Sequence, residues 1–109
     1  MRALLDCTSG WYAEQDWTGT PLAALIRDTA GAQSLLVHSA TGYSVRLPLT
    51  DLDHLLLATH AAGQALRPGH GYPLRLVAPH RRGFWWVKWV DRIELDSRPW
   101  WLQSPFPLT

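Results

Sequence analysis

The chain of 109 residues has one cysteine, one methionine and two phenylalanines, and no acidic residue lies between His70 and Val90. A single thiol, Cys7, excludes an internal disulfide and any metal cage built from several cysteines, so it says nothing of the redox compartment. No apolar run approaches the roughly 18 residues of a membrane-spanning helix, and the opening MRALLDCTSG lacks an apolar signal core; the chain reads as soluble. A strong charge bias is also missing. Ten basic residues against nine acidic give a net charge of +1, which is weak for a polyanion binder and ranks a nucleic-acid-binding β-domain low. The five histidines form neither a His-x-His pair nor an HExxH pattern, so a metal site built from histidines has no support. There are no repeats and no linker long enough to divide the chain, which predicts one domain over residues 1–109.

What the chain has in excess is tryptophan, seven in all. Three explanations apply: an aromatic core, a stacking surface, or a partner that covers them. The stretch His70 to Val90, HGYPLRLVAPHRRGFWWVKWV, gathers Trp85, Trp86 and Trp89 with Arg75, Arg81, Arg82 and Lys88. Positive charge collected in this way favours an anionic partner, against the plainer reading of a solvated face. Pro73 to Pro79 alternates as a strand, Phe84 to Val90 is a second β-rich run, and His80 to Gly83 would be the turn between them. A hairpin pairing Pro79 with Phe84 would set Arg75 opposite Lys88. Like charges so placed repel, and a bound phosphate or similar anion would convert them into a clamp.

Elsewhere, Arg2 to Asp6 reads as a strand ending at Cys7. Trp17 to Pro21 reads as a turn into a helix, with Thr20 as N-cap, Pro21 at the first helical position, Leu22, Leu25 and Ile26 on one face, and Gly31 closing it. Gln33 to Ala40 and Tyr43 to Leu47 form a candidate hairpin about Thr41-Gly42, with Val45 and Leu47 alternating against Ser44 and Arg46. Thr50 would cap a short helix carrying Asp51 and Asp53, and Leu55 to Thr59 is either a buried strand or the end of that helix. Asp91 to Leu95 finishes a strand, and Trp100 to Pro107 is a proline-interrupted tail expected on the outside of the sheet. Cys7 is either a small buried hydrophobe or a thiolate favoured by the backbone N–H groups of the Thr8-Ser9-Gly10 turn. A nucleophilic thiolate would need a base. His38, His54, His60, His70 and His80 are all available, and spacing selects none of them.

The segment Cys7-Thr8-Ser9-Gly10-Trp11, followed by Trp17-Thr18-Gly19 and Pro21-Leu22, resembles the cysteine segment of the sulfite oxidase-type molybdopterin-binding domain. His70-Gly71-x-Pro73-x-Arg75, then Pro79, Gly83 and Val87-Lys88-Trp89, resembles the second signature of the same family. The resemblance implies an α+β fold, a compact mixed β-sheet domain with short helices, and a molybdenum ion held by a pterin dithiolene. It implies Cys7 as the catalytic, molybdenum-ligating thiolate, with His70, Arg75, Trp86, Val87 and Lys88 contacting the pterin and its phosphate and Thr41 near a further contact. The implied chemistry is oxygen-atom transfer on a small oxo-compound, sulfite- or sulfoxide-like, with an electron-transfer partner such as a haem protein and no nucleic acid. Members of this family are often periplasmic. The family domain extends upstream of its cysteine, whereas six residues precede Cys7, so a fragment or a reduced member is expected. The alternative is a cofactor-free binding or structural module that keeps the fold.

Overall fold

The computed structural model describes residues 2–6, 12–79, 81 and 85–101, with side chains from residue 16 onward. Two antiparallel sheets carry the chain. The first takes β1 (Arg2–Asp6), β2 (Tyr12–Pro21), β5 (Leu56–Ala61) and β6 (Gln64–Ala65) in that spatial order, with β7 (Arg75–Val77) also pairing β5. The second has β3 (Ser34–Ser39) at its centre, flanked by β4 (Ser44–Pro48) and β8 (Val90–Asp96). Helical structure is confined to α1 (Leu22–Leu25) and two 3-10 turns, Leu49–His54 and Pro68–His70. The expected mixed sheet is thus, among the described residues, a sheet-dominated fold whose ladders are all antiparallel.

One apolar core joins the two sheets. Leu35, Val37, Val45 and Leu47 enter it from one sheet and Leu56, Ala58, Leu76 and Val77 from the other, with Trp17 and Trp86 among them. The β3–β4 hairpin has the anticipated turn. Val37 faces Val45 and Leu35 faces Leu47, while Gly42 takes φ +93°, a left-handed conformation that glycine adopts without a Cβ clash. Of Leu55 to Thr59, Leu55 ends the 3-10 turn and the rest proves to be strand, the central strand of its sheet, because both of its edges are paired.

Three expectations are corrected. Thr20 and Pro21 do not cap a helix: they pair with Leu57 and Leu56 as the end of β2, and the helix shrinks to four residues with no side-chain cap. The cause is the close approach of β2 to β5. A Cβ on Gly19 would lie 1.9 Å from the Leu57 carbonyl oxygen, so strand pairing continues through this point, and Leu22 N–H is then taken by Leu55 C=O at 2.9 Å. Gly31 lies well past the end at Ile26, and Thr50 caps nothing, since Pro48 holds the cap position of its 3-10 turn. Arg46, expected on the polar side of its strand, is only 7% exposed, and its Nη2 meets Asp96 Oδ2 at 2.6 Å. A buried guanidinium demands such a partner.

The third correction concerns the 73–90 hairpin. Leu76 N–H donates to Val87 C=O at 2.8 Å, the pair that a turn over 80–83 places opposite each other. One step further the register slips, since Val90 N–H donates to Leu74 C=O at 3.0 Å. Trp89 sits at the slip with φ +53°. The run from Phe84 does not form a strand in its described part; the strand begins only at Val90, which pairs with Ser39 in the other sheet. Trp89 therefore marks the crossing from one sheet to the other. Arg75 and Lys88 do not face each other across a ladder.

Candidate functional site

The Pro68–His70 turn presents three consecutive carbonyls, and each receives a side chain from the stretch that follows. Trp89 Nε1–H donates to Pro68 at 2.7 Å, Lys88 Nζ to Gly69 at 3.0 Å, and Arg75 Nη1 to His70 at 3.2 Å. Gly71 closes the turn at φ +112°, and a Cβ there would come within 3.0 Å of Arg75 Cβ, so the position requires glycine. Arg75 itself is 5% exposed and lies over two indoles, 5.5 Å from the Trp17 ring and 5.9 Å from that of Trp86. Cation–π contact and a carbonyl acceptor suit a planar, weakly hydrated guanidinium. In this arrangement Arg75 braces the turn that carries His70.

Beside the turn an open pocket of about 360 Å³ is lined by Ser39, Thr41, Tyr43, Lys88 and Trp89. Thr41 is placed by the hairpin: its N–H donates to Ser39 Oγ at 3.1 Å, and the two hydroxyls lie 2.9 Å apart. Lys88 lies 5.6 Å from the centre of the Trp89 ring. Tyr43 is a neutral hydrogen-bonding group at ordinary pH, and partial burial pushes its phenol up from 10 to about 12, so it stays neutral further into the alkaline range. One ammonium, two hydroxyls and an indole face form a donor set that fits an oxyanion attached to a planar ring. The residues present therefore fit the phosphate-bearing, ring-containing part of a pterin cofactor.

Thr41 and Lys88 thus meet in one pocket, and His70 lies on the exposed turn tied to Lys88 and Trp89. Trp86 and Val87 are both core residues, 2% exposed. Trp86 packs edge-on against Trp17 at 5.6 Å and donates its Nε1–H to Arg81 C=O, while Val87 offers its carbonyl to Leu76. Arg81 leaves the anion cluster. Its Nε and Nη2 hold the two oxygens of Asp51 at 2.9 and 3.2 Å, and its guanidinium lies 5.5 and 5.3 Å from the Trp85 and Trp100 rings. Cys7, His80 and Arg82 lie outside the described residues, as does the tail beyond Trp101. His60 meets the Thr59 hydroxyl at 2.7 Å and His38 lies 3.6 Å from Glu94. Among the described residues no three His, Cys, Asp or Glu side chains converge on a metal position, and no helix is long and apolar enough to cross a membrane. Sequence reading missed Ser39, Tyr43 and Trp89. The signal for the first two was their place on either side of Thr41-Gly42, and for Trp89 its adjacency to Lys88.

The family model described as the oxidoreductase molybdopterin binding domain matches residues 3–102. The chain belongs to this family. It is 36% identical over 96 residues to a nitrate reductase [NADPH] of Phytophthora infestans, covering 75% of this chain and 10% of that protein. It is 33% identical over 100 residues to the uncharacterized oxidoreductase YuiH of Bacillus subtilis, covering 85% of this chain and 50% of that one. Among solved structures, the sulfane dehydrogenase SoxCD of Paracoccus pantotrophus superimposes with a TM-score of 0.84 at 27% identity, over 90% of this chain and 31% of that chain. The chain accordingly spans from a tenth to a half of the length of these two curated relatives.

Proposed function

We propose that residues 1–109 form one domain that binds the pterin-phosphate part of a molybdopterin cofactor and serves oxygen-atom transfer on a small, sulfite- or sulfoxide-like oxo-compound. The observation that carries this reading is the convergence of Lys88 with the Ser39 and Thr41 hydroxyls around one open pocket, in a chain of the molybdopterin-binding family. Lys88 supplies the charge for the phosphate, and Ser39 and Thr41 donate to its oxygens. Trp89 offers an indole face to the ring. Tyr43, a neutral phenol at the pocket wall, orients the ligand without repelling an anion. Arg75 holds the His70 turn in place from beneath. Cys7 is the proposed molybdenum ligand, a soft thiolate suited to that metal. When bound, the cofactor supplies two-electron redox chemistry, with electrons passed to a partner such as a haem protein.

The test is protein expressed in a molybdopterin-producing host and assayed for molybdenum and for the fluorescent pterin oxidation product. Wild type should carry both, and Cys7→Ala should lose molybdenum. Lys88→Gln should retain cofactor roughly 10- to 100-fold less well, as expected for one charge-assisted hydrogen bond worth about 1.5–3 kcal/mol. A wild type that carries neither metal nor pterin overturns the reading in favour of a cofactor-free module.

A further inference from the structure

Trp89 is the only non-glycine residue besides Ala62 with positive φ among the described residues, and it is by far the bulkier. Residues with a Cβ rarely occupy that region, and where they do the surroundings must hold them there. Three contacts do so, one to the hairpin that lines the pocket and two to the Pro68–His70 turn beside it. The Trp89 carbonyl accepts the Ala40 N–H at 2.8 Å, which ties it to the hairpin turn carrying Ser39 and Thr41. Its indole N–H donates to Pro68 C=O at 2.7 Å, which ties it to the turn carrying His70. Its ring lies under the Lys88 ammonium, 5.6 Å from the centroid, and that ammonium donates to the next carbonyl, Gly69.

We infer that Trp89 is a positioning residue: one left-handed residue at the crossing between the two sheets sets the spacing between the Ser39–Thr41 hydroxyls and the Lys88 ammonium, and so fixes the oxyanion geometry that the pocket accepts. The register slip supplies the mechanism. With Val87 bonded to Leu76 and Val90 to Leu74, the extra residue between the two pairings is expelled as a bulge, and bulges re-aim side chains at the sites beside them. Here the bulge turns one carbonyl toward the hairpin of the second sheet and one indole toward the turn above the first. Lys88, immediately before it, follows that direction. The inference rests on the cofactor reading for the identity of the ligand, but the tie between the two turns stands on geometry alone.

The experiment uses Trp89→Phe, which keeps an aromatic ring near Lys88 and deletes the N–H, and Trp89→Gly, which relieves the left-handed backbone and deletes the ring. The first readout needs no cofactor: amide hydrogen exchange at Ala40, bonded to Trp89, and at Gly71, bonded to Pro68 at 3.2 Å. Trp89→Phe should speed exchange at both amides together, by roughly fivefold or more for one lost hydrogen bond. Unchanged exchange, or a change at one turn only, overturns the tie. The second readout is pterin retained after dialysis of protein from the molybdopterin-producing host. Trp89→Phe, which still presents a ring to the pocket and loses only the N–H tie to Pro68, should melt within a few degrees of wild type yet lose most of its pterin, a split that loss of ring contact does not explain; full retention overturns the positioning role. If Trp89→Phe does not fold, the same amides are read in Trp89→Gly, where Gly71 should be released while the protein remains folded, and a protected Gly71 overturns the tie. A wild type without pterin refutes the cofactor reading instead, and the exchange data then decide the tie by themselves.

Discussion

Arg81 and Lys88 belong to one basic stretch, seven positions apart, and the fold treats them in opposite ways. Arg81 is gripped by both oxygens of Asp51 and flanked by Trp85 and Trp100, so its charge is met by a carboxylate and its plane is covered by rings. Lys88 donates to a backbone carbonyl at the rim of an open pocket. Arg46 follows the first pattern through Asp96. Asp51 and Asp96 tie Arg81 and Arg46 to distant elements, whereas Lys88 lines an open pocket that a ligand can enter. A cluster of positive charge in sequence is therefore two populations in space.

Four substitutions sharpen or break this division. The largest effect on stability is expected at Arg81→Gln, which removes a bidentate pair and leaves Asp51 half-buried: about 1–3 kcal/mol, with pterin content per folded molecule unchanged, measured by urea denaturation alongside the cofactor assay. Lys88→Gln should give the reverse, a melting temperature within a few degrees of wild type and depleted cofactor. Equal stability losses in both variants would erase the distinction. A smaller effect is expected at acid pH. Hydrogen bonds from the Arg98 backbone and side chain, and then from Arg46, hold Asp96 down at about 2 from its ordinary 3.8. A lowered folded-state value means that this stabilisation is fully present above the ordinary value and is lost as pH falls from 3.8 toward 2. Asp96→Asn should flatten that part of the melting-temperature profile. The smallest effect concerns Tyr43, whose raised value means that stability declines as pH climbs from 10 to about 12, the interval in which only the unfolded chain ionises. Tyr43→Phe should abolish that alkaline decline, and a decline that persists would assign it elsewhere.

The readable parts of the fold were those where pattern and turn chemistry agree. The Thr41-Gly42 hairpin and the strands at Arg2–Asp6 and Val90–Asp96 follow from alternation and glycine punctuation. The helix start at Thr20-Pro21 misled because cap signals are local, whereas the decisive contact, Gly19 against Leu57, comes from a strand almost forty residues away. Arg46 misled for a similar reason, since its partner Asp96 lies on β8. Of the residues the sequence singled out, Thr41 and Lys88 line one pocket. The fate of each cation depended on acids and carbonyls distant in sequence. A bulge at Trp89 leaves no trace in hydrophobic periodicity, because the residue that breaks the pattern is itself aromatic.

The strand that leaves that bulge has one further property. Among the described residues β8 forms a ladder with β3 alone, and beyond Val90, whose N–H is held by Leu74, its other side is a sheet margin where another chain could add a strand. Its side chains discourage such growth. Asp91, Arg92 and Glu94 interrupt the apolar positions, with Arg92 and Glu94 paired at 2.9 Å, so an incoming strand would have to strip water from three charges to reach the backbone. Leu95, 38% exposed, is the unguarded position on this margin. The same strand therefore bears on how the protein behaves in concentrated solution, because Asp91, Arg92 and Glu94 set the cost of adding a second chain at this margin.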